Sequence, residues 1–204
     1  LLRKKASPNR LKVLPLHLKQ DFIMQLPIYL YGQQVLRKAT ETVTPDYPGL
    51  PELLSNMFET MSKAEGVGLA APQVGLSLRL FVVDLTPMAD DDEKYVNYKR
   101  VFINPSIVSF SEDTCSMEEG CLSVPEIREN VTRSNSIKLR YQDEIFRSFE
   151  EQFDGYEDRV IQHEYDHLEG KIFTDRISPI RRQLIKSKLT SIVKGKTQPR
   201  YKFR

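Results

Sequence analysis

The stretch QHEYDH, residues 162–167, constrains this chain more than any other. It holds two of only three histidines in 204 residues; the third, His17, lies far upstream. Residues four apart share one face of a helix, so His163 and His167 project together and can place two imidazole nitrogens on one cation. Glu164 points about 100° further round, beside such a cation rather than on it. Two histidines that hold a metal, with a carboxylate able to take a proton from water there, form the pattern of a metal-dependent hydrolase. The competing reading is a pair of surface histidines on a charged helix.

A catalytic site of this kind usually has a third protein ligand and one open position. A histidine six residues after the second is excluded, because position 173 is Phe173, and no glutamate follows Glu169. Asp175 is the one acid left downstream, so the third ligand is either Asp175 or a residue upstream. Upstream the best donor is Cys121, set after Gly120 in EEGCLSVPEIRENV, since a thiolate binds borderline-soft cations strongly. Cys115 sits in a polar stretch, and two cysteines are too few for a disulfide framework. A third segment, AEGVGLAAPQVG (64–75), is dense in small residues, as a backbone that approaches a ligand closely must be. Gln73 is there either an orphan polar group or an amide donor aimed into the site.

The rest of the chain reads as an ordinary globular protein. The net charge of +2 hides an asymmetry: residues 1–23 carry +5 and residues 177–204 carry +9, leaving −12 for residues 24–176. Basic ends on an acidic body suit either contact with nucleic acid or a solvated, solubilising surface. The leader is basic and poor in acids, as transit peptides are, but Pro8 and Pro15 interrupt any amphipathic helix. Met24, just ahead of LPIYLYG, reads as a start site with an extension before it. No stretch approaches the ~18 apolar residues needed to cross a membrane. Helices are predicted over 51–66, stopped by Gly66, over 155–170, and over 178–195. The last has Ser178 as N-cap, Pro179 at its first position and Leu184, Ile185, Leu189, Ile192 and Val193 on its apolar face. A strand is predicted over 76–85 and short strands over 101–110, 131–143 and 145–153, after a charged loop over 87–100. Strands run together and helices stand apart, which predicts an α+β fold with the HExxH helix packed among antiparallel β-sheets.

Taken in order, GVGLAAPQ (66–73), EGCLS (119–123) and QHEYDH (162–167) resemble the three motifs of the peptide deformylases without a mismatch. The resemblance covers about residues 24–193. It divides the chain into a basic extension (1–23), a catalytic domain (24–193) and a basic C-terminal tail (194–204). It implies one divalent metal ion per chain held by Cys121, His163 and His167, with ferrous iron as the native metal and nickel, cobalt or zinc able to replace it. It implies Glu164 as general base and then acid, and Gln73 and the backbone N–H of Leu122 as donors to the oxyanion. Val67, Gly68, Leu122 and Val160 would line an apolar slot for the methionine side chain. Glu119, Arg128 and Arg133 would support the Cys121 loop. The implied reaction removes the formyl group from N-formylmethionine of nascent polypeptides at the ribosome, where a basic C-terminal helix could dock. The implied setting is bacterial-type cytoplasm, with an organelle left open by the leader. The leader, the tail and the 87–100 loop lie outside the family's motifs.

Overall fold

The computed structural model describes residues 23–204; the readings of His17, Pro8, Pro15 and the basic leader fall outside them. The first helix, α1, runs Leu50–Lys63. It starts on Gly49, at a positive φ of 73°, which has no side chain to cap the helix. Relative to a capping side chain, glycine there costs only about a few tenths of a kcal/mol. Burying Met57 and Met61 completely is worth roughly 1.5–3 kcal/mol each, so the apolar stripe decides the matter. The helix ends earlier than predicted. Glu65, not Gly66, takes the left-handed conformation, and the Gly66 N–H closes back on the Met61 carbonyl.

Five antiparallel strands then form one sheet, in the order β1 (Gly68–Ala70), β2 (Leu80–Asp84), β3 (Lys99–Phe110), β6 (Ser136–Gln142) and β7 (Ser148–Asp154). Strand β4 (Thr114–Cys121) and β5 (Val124–Ser134) make a separate two-stranded hairpin. The predicted 76–85 strand shortens to β2, buried at every position. Its composition explains why: Leu80 and Val82 pack with Leu54, Met57 and Met61 of α1, while Phe81 and Val83 pack on the other side. There they meet Val160, Ile161 and Leu168 of the second helix, α2 (Gly155–Leu168). A strand covered on both faces is apolar throughout rather than alternating. Strands β5 and β6, by contrast, alternate buried and exposed residues and cover one face only.

Three predicted segments differ in detail. The 87–100 loop carries two short 3-10 turns and sends Tyr95 into the core. The 178–195 helix is broken at Ile185 into α3 (Pro179–Leu184) and α4 (Lys186–Val193). Ser178 caps it as expected, accepting from the Arg181 N–H. Of its expected apolar face, Ile185, Leu189 and Ile192 are buried, while Leu184 and Val193 are exposed. Burial at 185, 189 and 192 follows a single line down the helix, and the flanking positions point away from it. The stretch set apart as a tail returns to the body: Phe203 bridges to Ile28, in parallel, with backbone hydrogen bonds on both sides of the bridge. No helix among the described residues is long and apolar enough to cross a membrane.

Candidate metal centre

Two elements bring the predicted ligands together. The β4–β5 hairpin ends in an irregular pairing between Gly120 and Cys121, which carries the Cys121 sulfur out of the ladder. Helix α2 presents His163 and His167 on one face, as their spacing dictates. Donor atoms of Cys121, His163 and His167 all lie within 4.8 Å of one another, and the Cys121 Sγ is 3.3 Å from His167 Nε2. This is the one group of three or more potential ligands among the described residues. Asp175 is elsewhere: its carboxylate is taken up by Arg37, Arg182 and the Ile172 N–H. Of the two candidates for third ligand, it is Cys121 and not Asp175 that lies beside the two histidines.

Behind the donors lies a buried charged network. Glu119 accepts two bonds from Arg133, at 2.6 and 2.9 Å, and one from Arg159 at 2.9 Å. Its other oxygen is 2.8 Å from His163 Nδ1, which leaves Nε2 of that ring for the cluster. Burial alone would raise the Glu119 pKa, but Arg133 and His163 hold it well below the usual carboxylate range. Arg133 also bonds Asp166 at 2.7 Å, and Asp166 bonds Arg176. Glu119 and Arg133 lie behind the cluster. Arg128 does not: its side chain is 71% exposed and faces Glu118 across 3.6 Å of surface, an ion pair of little energetic weight. Its register opposite Gly120 puts it on the outer face of the hairpin. Arg159, which the sequence reading missed, joins the buried network. It bonds Glu119, the Val131 and Cys115 carbonyls and the Cys115 sulfur. Its position four residues before His163, hence on the same helix face, was the available signal.

The two imidazoles are driven apart electrically. Burial and the neighbouring charge of His163 push His167 down to about 3, so it is neutral with a lone pair to offer. For His163, hydrogen bonds to Cys121 and Glu119 outweigh burial and raise its proton affinity.

Glu164 is buried beside them, and its Oε2 has no hydrogen-bond partner; His167 Nδ1 is likewise unpartnered. Burial pushes the Glu164 carboxyl up to about 7, partly countered by His163. A Cβ on Gly68 would collide with the Glu164 Oε1, so only glycine leaves room for this carboxylate. Gln73 accepts the Ala70 N–H on Oε1 at 2.8 Å. Its Nε2 donates to Ser123 Oγ at 3.3 Å and points at the Cys121 sulfur, 3.5 Å away. Gln73 is therefore an aimed amide, not an orphan. Val67 and Val160 share the core cluster under β2, while Leu122 packs over Gly66 and borders the other two clusters.

The donor set fits a divalent ion: a soft thiolate and two imidazoles converge, three protein ligands leave a position open, and an unsatisfied carboxylate oxygen stands beside it. A polarising ion with an open position and a proton acceptor at hand serves attack by water, which places the chain among metal-dependent hydrolases. The family model described as polypeptide deformylase matches residues 25–183. The peptide deformylase of Flavobacterium johnsoniae is 49% identical over 188 residues, spanning 89% of this chain and 96% of that protein. That of Salinibacter ruber is 50% identical over 182 residues, spanning 87% and 93%. The crystal structure of peptide deformylase from Thermus thermophilus superposes with a TM-score of 0.75 at 40% identity, covering 84% of this chain and 99% of that one. This chain belongs to the polypeptide deformylase family. Its activity is that family's metal-dependent hydrolysis, removal of the N-terminal formyl group from newly synthesised polypeptides with release of formate.

Replacing Gly68 by Ala should displace the Glu164 carboxylate without touching the three donors. Deformylation is expected to fall about a hundredfold or more, the scale set by misplacing a catalytic group by about 1 Å. Metal content should stay at the wild-type level, measured on the same sample.

Proposed function

We propose that Cys121, His163 and His167 hold the ion, that Glu164 is the general base and then the general acid, and that Gln73 and the Leu122 N–H stabilise the oxyanion. The observation that carries this reading is Glu164: a buried carboxylate with one oxygen free, beside the three donors, poised near 7 by burial. A divalent ion at those donors supplies Lewis-acid polarisation and lowers the pKa of water bound there. Glu164 Oε2 takes the proton from the attacking water, and a pKa near neutrality suits both taking and returning it. As the formyl carbonyl becomes tetrahedral, charge grows on its oxygen. The Gln73 Nε2–H, held in place by Ala70 and Ser123, donates to that oxygen. One such donor is typically worth roughly 3–4 kcal/mol. Glu164 then passes its proton to the departing amine. Val67, Gly68, Leu122 and Val160 line the slot for the methionine side chain in this reading. Glu119, with Arg133 and Arg159 behind it, fixes the His163 ring, a task that typically changes metal affinity about 10–100-fold.

Ferrous iron is the native ion in this proposal, with nickel, cobalt or zinc able to occupy the site; the mixed sulfur and nitrogen donor set supports a borderline transition metal. The setting is bacterial-type cytoplasm, consistent with a thiolate ligand that needs a reducing compartment. Formate release from a formyl-Met peptide, with metal measured in protein prepared without oxygen, tests the iron assignment. Full activity with zinc alone and no iron would contradict the iron assignment. Fractionation of the chain with an organelle would contradict the compartment.

Glu164→Gln should keep the metal and lower kcat about 10²–10⁴-fold. The same variant reads out the carboxyl's environment once metal is removed. Burial favours the protonated Glu164, so its contribution to stability is present below its ordinary value of 4.5 and lost as pH rises through about 7. Metal-free wild type should therefore lose Tm relative to metal-free Glu164→Gln between pH ~5 and pH ~8. Parallel Tm profiles would contradict the raised pKa.

For ribosome contact, the supporting feature is the three exposed lysines Lys186, Lys188 and Lys194 of α4 and its C-cap. Arg181 and Arg182 are engaged with Glu129 and Asp175. Reversing the three lysines to glutamate should weaken co-sedimentation with ribosomes and flatten its salt dependence by about three contacts. Unchanged binding would remove this face from the proposal.

A further inference from the structure

We propose that Tyr201 is a positioning residue for deformylation, delivered by residues 201–204 and holding the Leu122 peptide in place beside Cys121. The proposal rests on the reading of the Leu122 N–H as an oxyanion donor. Its basis is a short ladder that joins the site to a segment lying beyond residues 25–183, those matched by the family model. The extended segment 28–31 alternates its N–H groups between two sides. Tyr29 donates to the Gln73 carbonyl at 2.7 Å and Tyr31 to the Ser123 carbonyl at 2.7 Å. Ile28 and Leu30 donate the other way, to the Lys202 and Arg204 carbonyls at 2.9 and 3.0 Å, and Arg204 returns a bond to Ile28. So one backbone strip grips both segments assigned to the oxyanion, and residues 202–204 grip that strip.

Tyr201 closes the ring directly. Its phenolic O–H donates to the Leu122 carbonyl. Tyr201 and Phe203 pack in the same cluster as Cys121 and Leu122. Burial pushes the phenol well above its ordinary value, so it stays a donor across the working range. A carbonyl fixed on one side of Leu122 restrains the residue's backbone, and with it the direction of its N–H. The hydrogen bond is made to the Leu122 carbonyl and not to a metal ligand, so its effect should fall on transition-state stabilisation and not on metal binding.

Tyr201→Phe removes one oxygen and keeps the ring. With the full chain loaded with iron, kcat for a formyl-Met peptide should fall about tenfold, within the range that misorientation of a catalytic group costs. KM should move less than about twofold and metal content not at all, as for an interaction felt only in the transition state. Phe203→Ala, which loosens the docking and keeps the phenol, should lower kcat in the same direction. Gln73→Met serves as the reference for the oxyanion reading itself. Loss of kcat in Gln73→Met with wild-type kcat in Tyr201→Phe would overturn the role of Tyr201 and leave that reading standing. Wild-type kcat in both would overturn the reading on which the proposal rests. A Tyr201→Phe variant with lowered Tm or metal content and wild-type kcat would make the contact structural only, and would overturn the proposal too.

Discussion

The Glu119 carboxylate, buried between Arg133, Arg159 and His163, is the interaction on which the rest of the site depends. It stands on β4, Arg133 on β5, and Arg159 and His163 on α2, so one side chain joins the hairpin to the helix. The Arg133 side chain is fully buried and that of Glu119 nearly so, which makes the arrangement all or nothing. Losing one partner of such a set strands an opposite charge in the interior, typically at a cost of about 3–5 kcal/mol. A buried ion pair does not by itself argue for high stability. What it secures here is register: Cys121 lies two residues from Glu119, so any slip between hairpin and helix would part the sulfur from the two imidazoles.

That network also explains why α2 is buried well beyond its apolar stripe of Ile161, Tyr165 and Leu168. Ten of the fourteen residues of α2 are buried, among them Asp158, Arg159, Gln162, His163, Glu164, Asp166 and His167. Most of these polar groups are paired. The exceptions are the Asp158 Oδ1, the Glu164 Oε2 and the His167 Nδ1. An unpaired buried oxygen costs stability, about 1–3 kcal/mol for a neutral group and more for a charged one. At Glu164 the unpaired oxygen is the one that takes the proton in the proposed mechanism, and Gly68 is the residue whose missing side chain leaves room for this carboxylate.

Much of the site was legible because its residues follow local rules. Two histidines at helical spacing must share a face, and a glycine before a thiol lets the backbone come close to an ion. The helix of QHEYDH, the α+β layout and the capped start at Ser178 all follow from spacing and composition. What escaped depends on tertiary partners. Arg128 and Arg133 look equivalent in the chain, but the pleat sends one outward against Glu118 and the other into the core. Arg159 looks like a surface residue of a polar helix until Glu119 is placed opposite it. Gly66 looks like the helix stop, although Glu65 takes the strained conformation while Leu122 fills the space over Gly66. Charge marked residues 194–204 as a separate tail, because the backbone pairing of Phe203 with Ile28 joins the two ends of the described chain and leaves no local trace.

The central claim is that one sulfur and two imidazole nitrogens meet at a single ion with a position left to solvent. X-ray absorption at the iron edge of the loaded, oxygen-free protein measures this directly. One sulfur neighbour near about 2.3 Å and two nitrogen neighbours near about 2.1 Å, with at least one further light atom exchangeable with solvent, are the expected result. A spectrum without sulfur, or with all positions filled by protein donors, would contradict it.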